Sequence, residues 1–420
     1  MKHNRFLFYE FSLGILLLLQ IIIPKLMPIG IIATGISIIL LTTKKEVRFF
    51  WSQTHLLFGL FYLAYVIGLF FSHNSSEAVH VLESKMSFVI FPMLFLFIPK
   101  RKINFNSVIW FFSTALFIQF FIGIYSSFQC YGISNSLSCF ISTPFSPTHH
   151  PTYMAIYFMM GFFLVWKLRA SQVTSFEKKS ALFFMLFFAV GYLLCMSLSA
   201  ILFLGLLIGV AGFIRFKKRF GKLKSVGLVV LLFVGLFIVV DQSKDTVADI
   251  EYTYNSVKNY VKSPKEFVKK ANRYLVGNEE RLVLWTIATE AIIEHPLGYG
   301  TGNIDVVIGN KLRSYGLNDL ADRNFNPHNQ YMQTFIEVGI FGFLILVGLL
   351  VTIFSYSWKH KNYILLILVT AFAFNSLFES MFQRQSGIVF FALMVFFLLL
   401  KDLKNDRTTE TVPLTPLEKE

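Results

Sequence analysis

Long apolar runs separated by short polar clusters make up most of this chain, and their lengths approach the roughly 20 residues that a membrane-spanning helix needs. Twelve segments qualify as spans: 6–23, 26–42, 50–71, 86–98, 107–128, 151–166, 181–197, 199–214, 225–240, 333–356, 362–379 and 387–400. The pattern predicts an all-α, polytopic membrane protein with about 12 transmembrane helices. Segments 181–197 and 199–214 could be taken for one helix, and Ser197-Leu198-Ser199 is the turn expected between them. A single long polar interval, 241–327, interrupts the series between spans nine and ten. The expected organisation is therefore 1–240 for transmembrane helices 1–9, 241–332 for one large loop domain, 333–400 for helices 10–12, and 401–420 for a disordered tail.

The second half of the large loop reads as helix. Glu279-Glu280-Arg281 opens a run in which Leu282, Trp285, Ala288, Ile292 and Ile293 recur at helical spacing. Pro296 ends it, and the Gly298-Tyr299-Gly300-Thr301-Gly302 turn follows. The first half, with Tyr252, Tyr254, Tyr260 and Lys258 to Lys270, predicts an amphipathic helix near lipid headgroups.

Composition agrees with a lipid environment: hydrophobic residues are 55% of the chain, charged residues 15%, and 50 residues are Phe. An ordinary soluble domain carries roughly a quarter charged residues. The net charge of +14 suggests nucleic acid until its distribution is considered. With both termini in the cytoplasm, the cytoplasmic segments hold 24 Lys and Arg, and the short outside loops hold only Lys25, Lys85 and Arg384. That bias sets the topology, makes the large loop periplasmic, and removes the case for nucleic acid. The basic run Arg215 to Lys224 is expected to touch anionic membrane lipid. Lys2 and Arg5 precede an apolar stretch without a small-residue cleavage site, which predicts an uncleaved first span. Cys130 and Cys139 share one outside segment and can pair there, whereas Cys195 lies in an apolar run.

Candidate chemistry gathers where the large loop meets the tenth span. Asn326-Pro327-His328-Asn329-Gln330-Tyr331 leads into Gly339-Ile340-Phe341-Gly342, and an imidazole there can act as a general base at neutral pH. Gly339 and Gly342 are expected to let another helix pack closely. The plain alternative is a helix start whose polar residues face water. No Asp-x-Asp and no His/Cys spacing outside the membrane suggests a metal site; Asp241 with Asp245 is the nearest, and a solvated helix end explains it better.

His328-Asn329, nine residues, then Gly339-x-x-Gly342 resembles the signature of the O-antigen ligase family. Arg281 to Trp285 with Glu294-His295-Pro296-Leu297-Gly298-x-Gly300-x-Gly302 is similar to the stretch preceding that signature in the same superfamily. His150-Pro151-Thr152-Tyr153 and Glu379 to Gly387 are weaker echoes. Many relatives carry a basic residue in the turn at Ser197–Ser199, and this chain does not. The resemblance implies a glycosyltransferase without cofactor or metal, whose donor is a glycan on undecaprenyl diphosphate.

On that reading His328 is the general base and Asn329 orients it or the acceptor. Arg281, Arg384, Arg313 and Arg323 are candidate diphosphate ligands, because guanidinium stays charged and binds phosphate oxygens in two places. A salt bridge to Glu379 or Glu280 is the alternative for Arg281 and Arg384, and surface solvation for Arg313 and Arg323. His149, His150 and Tyr153 line the site or cap the sixth helix, and Trp285, Tyr299 and Tyr331 stack on sugar rings or pack internally. Ligation of O-antigen to a lipid A-core acceptor is the first choice, polymerisation the runner-up, and protein O-glycosylation a further possibility. A transporter would instead need broken helices and ionisable groups near mid-membrane, whereas the spans hold few polar groups: Glu10, Gln20 and Gln119 within them, and Glu337 and Glu379 near their outer ends.

Overall fold

A computed structural model describes residues 2–101, 103–171, 174–221, 254–271, 278–323 and 325–405. It is almost entirely helical. The first part of the chain forms α1 (Lys2–Ile22), α2 (Met27–Thr43), α3 (Gln53–Leu69), α4 (Ser75–Lys85), α5 (Ser87–Leu94), α6 (Phe105–Ser134), α7 (Pro151–Ser171), α8 (Ser175–Leu194) and α9 (Leu198–Phe220). The segment between α9 and the next long apolar helix contributes α10 (254–262), α11 (Pro264–Lys269), α12 (Asn278–Glu294), α13 (Ile304–Ser314) and α14 (Asn318–Asp322). The chain then forms α15 (Gln330–Lys359), α16 (Tyr363–Asn375) and α17 (Gln385–Asn405).

Local chemistry sets many of the boundaries. Asn104 and Asn362 accept the backbone N–H groups of Ser107 and Leu365 at the starts of α6 and α16, and Thr174 forms a capping box with Glu177 before α8. The break between the two helices falls close to the expected Ser197–Ser199 turn: α8 ends at Leu194, and α9 begins at Leu198 with Ser197 in the N-cap position. Cys130 and Cys139 form a disulfide, and Cys195 is buried and free.

Among the described residues six helical segments are long and apolar enough to cross a bilayer: Asn4–Ile22, Pro24–Thr43, Phe105–Ser134, Pro151–Ala170, Leu198–Arg215 and Gln330–Lys359. Gln53–Leu69, Tyr363–Asn375 and Gln385–Lys401 are shorter apolar helices. This is a multi-pass membrane protein. The expected span 225–240, the pair Asp241 and Asp245, Tyr252 and the tail beyond 405 lie outside the described residues.

The segment 86–98 departs from expectation. It forms the eight-residue α5, with Pro92 inside it, and then strand β2 (Phe97–Pro99), which pairs antiparallel with β1 (Val47–Phe49). Eight residues rise about 12 Å, less than half the hydrocarbon thickness. Helix α16 likewise ends at Asn375, and residues 376–384 turn back as an irregular segment instead of completing a span to 379.

Phe rings fill the helix interfaces. Phe58, Phe61, Phe88, Phe382, Phe391 and Phe396 meet edge-on or tilted in one continuous cluster. Helices α10–α14 have a small core of their own, in which Val283, Leu284, Ile287, Ala288 and Ala291 of α12 pack with Ile304, Ile308 and Leu312 of α13. Ile336 of α15 belongs to that same core, so this group of helices is seated on the start of α15.

Helix α15 is broken at Gly339, whose φ of +68° places it outside helical geometry. The break is filled by backbone from the glycine-rich turn. Tyr299 and Gly300 donate their N–H groups to the carbonyls of Ile336 and Glu337 at 2.7 and 3.0 Å, and Ile340 donates to the Pro296 carbonyl at 3.0 Å. Thr301 donates to the Gly68 carbonyl at the end of α3, at 3.0 Å. A helix interrupted inside a membrane protein needs such partners, because lipid supplies none. A Cβ on Gly339 would lie 2.3 Å from the Leu297 carbonyl oxygen. The role read for Gly339 from sequence, close helix packing, is therefore corrected: it admits a loop.

Candidate active site

His328 stands immediately before the N-cap of α15, with φ of +46°. A non-glycine residue in this region carries strain of about 1–3 kcal/mol, so its surroundings must fix it. The His328 N–H donates to Asn326 Oδ1 at 2.9 Å. Trp285 of α12 donates its indole N–H to the Pro327 carbonyl at 2.9 Å, and Ser380 Oγ donates to Asn326 Oδ1 at 3.2 Å. The residue is thus held between α12 and the segment after α16.

This placement sets His328 Nδ1 at 3.3 and 3.4 Å from the two oxygens of Glu379. An ionised carboxylate only accepts, so Nδ1 carries the hydrogen and Nε2 keeps its lone pair. The contact is long for an N–H···O bond and is of the kind that tightens when substrate enters. The side chains are 27% and 13% exposed, so the pair lies in a recess that still opens to the surface.

The segment 376–384 is fastened to the first turns of α15. Gln330 donates its backbone N–H to the Ser376 carbonyl at 2.8 Å and accepts the Phe382 N–H on Oε1 at 2.6 Å. Gln333 donates to Gln383. From α7, Tyr153 donates its hydroxyl to the Ser380 carbonyl at 3.2 Å. Asn329 caps α15: its Oδ1 accepts the N–H groups of Tyr331 and Met332 at 3.0 and 3.1 Å, and its Nδ2 donates to the Leu377 carbonyl at 3.1 Å.

Charges converge on this recess. Burial pushes the Glu379 carboxyl up, but the His328 hydrogen bond and the charges of His328, His150 and Arg281 outweigh it and hold the group below the usual carboxylate range. Burial, and then the positive charges of Arg384, His328 and Arg281, keep the His150 imidazole below its ordinary range against the pull of Glu379.

The candidates from sequence separate into two groups. His328, His150, Arg281, Arg384 and Tyr153 share one electrostatic neighbourhood, with Asn329 beside them as a cap. Arg313 and Arg323 are committed elsewhere, to Asp322 at 2.9 Å and Glu280 at 2.5 Å. Among the described residues neither Arg281 nor Arg384 is bonded to a carboxylate, because Glu280 holds Arg323 and Glu379 holds His328.

His149 serves structure. Its ring nitrogens contact Ser386 Oγ at 2.8 Å and the Ile21 carbonyl at 3.0 Å, and burial pushes its pKa down to about 4. Tyr331 spends its hydroxyl on the Ala373 carbonyl and Trp285 its indole N–H on Pro327, while the Tyr299 ring packs on His295. Sequence reading missed Glu379 as the partner of His328, and missed Gln330 and Gln333 as the fasteners of its segment. The signals in the sequence were a carboxylate at the end of an apolar run and the weak family echo from Glu379 to Gly387.

Residues 181–347 match the family model described as O-antigen ligase. An uncharacterized protein of Haemophilus influenzae is 27% identical to this chain over 156 residues, which is 36% of this chain and 37% of that protein. The alignment thus spans little more than a third of that relative's length. The family match contains Arg281, the glycine-rich turn, His328 and the break at Gly339, whereas His150, Tyr153, Glu379 and Arg384 fall outside it. Over residues 181–347 the chain is thus similar to the O-antigen ligase family.

Proposed function

We propose that this protein is a glycosyltransferase that moves a glycan from undecaprenyl diphosphate to an acceptor hydroxyl at the periplasmic face of the inner membrane. One observation carries this reading: an imidazole whose Nδ1 is held by a carboxylate shares its electrostatic neighbourhood with two arginines that have no carboxylate partner among the described residues. The bias of Lys and Arg toward one set of loops supports the sidedness, with both termini cytoplasmic. A disulfide between Cys130 and Cys139 on the opposite set of loops suits an oxidising compartment.

In the proposed step His328 Nε2 takes the acceptor proton as the acceptor oxygen attacks the anomeric carbon. The bond from that carbon to the diphosphate oxygen breaks, so undecaprenyl diphosphate leaves and the carbon inverts. Glu379 stabilises the resulting imidazolium and fixes the ring. Arg281 and Arg384 neutralise the departing diphosphate, the role a metal ion fills in other transferases. Asn329 serves by capping the helix that carries the base. Arg313 and Arg323, already paired, contribute at most to the rim.

Ligation to a lipid A-core acceptor is the preferred reaction. Deleting the gene and resolving surface glycans by size tests it. Loss of long chains from the lipid core, with lipid-linked polymer accumulating, is the outcome expected. A core bearing a single repeat unit would indicate a polymerase, and unglycosylated carrier proteins a protein O-glycosyltransferase. Transport is the less favoured reading: the broken helix a transporter needs is present, but its freed backbone groups are bonded to the chain's own turn.

A further inference from the structure

Lys85, the last residue of α4, was expected in a short outside loop and is instead 1% exposed. Burying an ammonium group is costly, and a lysine enclosed in a membrane protein usually has a task. Its Nζ donates to the Phe382 carbonyl at 2.8 Å and lies 4.5 Å over the ring of Tyr65. The compensating charge is Glu337 of α15, also 1% exposed, which lies near enough for the two charges to stabilise each other. Glu337 accepts the Gly302 N–H on Oε1 at 3.4 Å, and its other oxygen has no partner among the described residues.

None of these groups takes part in the proposed transfer, yet their contacts end on the segment that does. Phe382 is gripped at both backbone atoms, its carbonyl by Lys85 and its N–H by Gln330. It lies three residues after Glu379 and two before Arg384. An apolar side chain at position 85 would fill the same space with no desolvation cost and would leave the Phe382 carbonyl unbonded. We infer that Lys85 is a positioning residue, whose ammonium group pins the 376–384 turn and thereby sets Glu379 and Arg384 against His328. Glu337 is its internal counter-ion, and through Gly302 it joins the same network to the glycine-rich turn.

The inference rests on the proposed function only for its consequence in transfer, and its test has one readout that does not. Lys85→Met leaves Glu337 uncompensated and can unfold the protein, so the informative variant is the pair Lys85→Met with Glu337→Gln, which removes both buried charges. The double variant is expected to purify and melt like wild type while amide exchange across 376–384 accelerates about tenfold. Its KM for lipid-linked donor should rise and its kcat fall, each about tenfold, since Arg384 and Glu379 are displaced together. Exchange across 376–384 at the wild-type rate would overturn the positioning role. Absence of transfer by the wild-type protein would count against the function and leave the exchange result to decide on Lys85.

Discussion

The Nδ1 of His328 and the carboxylate of Glu379 lie 3.3 Å apart although 51 residues separate them in the chain. All of α15 and α16 lies between, and the two ends of that helical hairpin close on each other at one side of the bundle. Because the carboxylate only accepts, the contact selects the tautomer whose free nitrogen can take a proton. Replacing Glu379 by Gln keeps the shape and removes the charge, so kcat for glycan transfer should fall about 10²-fold, the usual contribution of a well-placed acid–base group. Unchanged kcat would make the contact structural.

Arg281 and Arg384 differ from Arg313 and Arg323 in having no carboxylate partner among the described residues. Substituting either of the first two by Lys should raise the donor KM or lower kcat by about tenfold, because an ammonium cannot copy the two-point contact of guanidinium with phosphate. The same change at Arg313 or Arg323 should stay within about twofold, since their exposed ion pairs are worth little. Steady-state kinetics of the four variants side by side checks the division.

Gly339 is required by the break in α15. Gly339→Ala places a methyl 2.3 Å from the Leu297 carbonyl oxygen at a φ of +68°, so the glycine-rich turn must leave its seat. A loss of stability of about 2 kcal/mol or more is expected, with transfer lost alongside. Gly348→Ala in the same helix meets nothing within 4 Å and should be silent. Thermal melts in detergent distinguish the two.

Acidification should weaken the site in two stages. The folded pKa of His150 is depressed, so its contribution to stability is whole above about 6.5, the unfolded value, and is lost as pH falls from there toward the folded one. The carboxyl of Glu379 is also depressed, so its contribution survives until pH drops below about 4.3 and through the lower folded value. His150→Gln should flatten the first slope of melting temperature against pH and Glu379→Gln the second. Slopes identical to wild type would contradict these environments.

Much of this arrangement was legible before any coordinates. Helix α12 with its Pro296 stop, the Ser197–Ser199 turn and the His328-Asn329 helix start all follow from periodicity and capping chemistry, which are local. What sequence did not reveal is long-range. A charged residue reads the same whether it lies in a loop or, like Lys85, is enclosed by residues nearly 300 positions away. Gly339 reads as a packing glycine because nothing near it in the chain announces that the 296–302 turn will enter the helix there. Segment 86–98 is apolar enough for a span, but Pro92 and the pairing of β2 with β1 shorten it. The four candidate arginines read alike in sequence, and only the carboxylates that Arg313 and Arg323 hold divide them.

The most direct measurement is transfer by the purified, reconstituted protein supplied with a glycan on undecaprenyl diphosphate and an acceptor lipid. Wild-type protein should release undecaprenyl diphosphate and form glycosylated acceptor in equal amounts, and His328→Ala, made at normal levels, should do neither. Equal turnover by the two proteins, or none by either, would contradict an imidazole-driven transfer at this site.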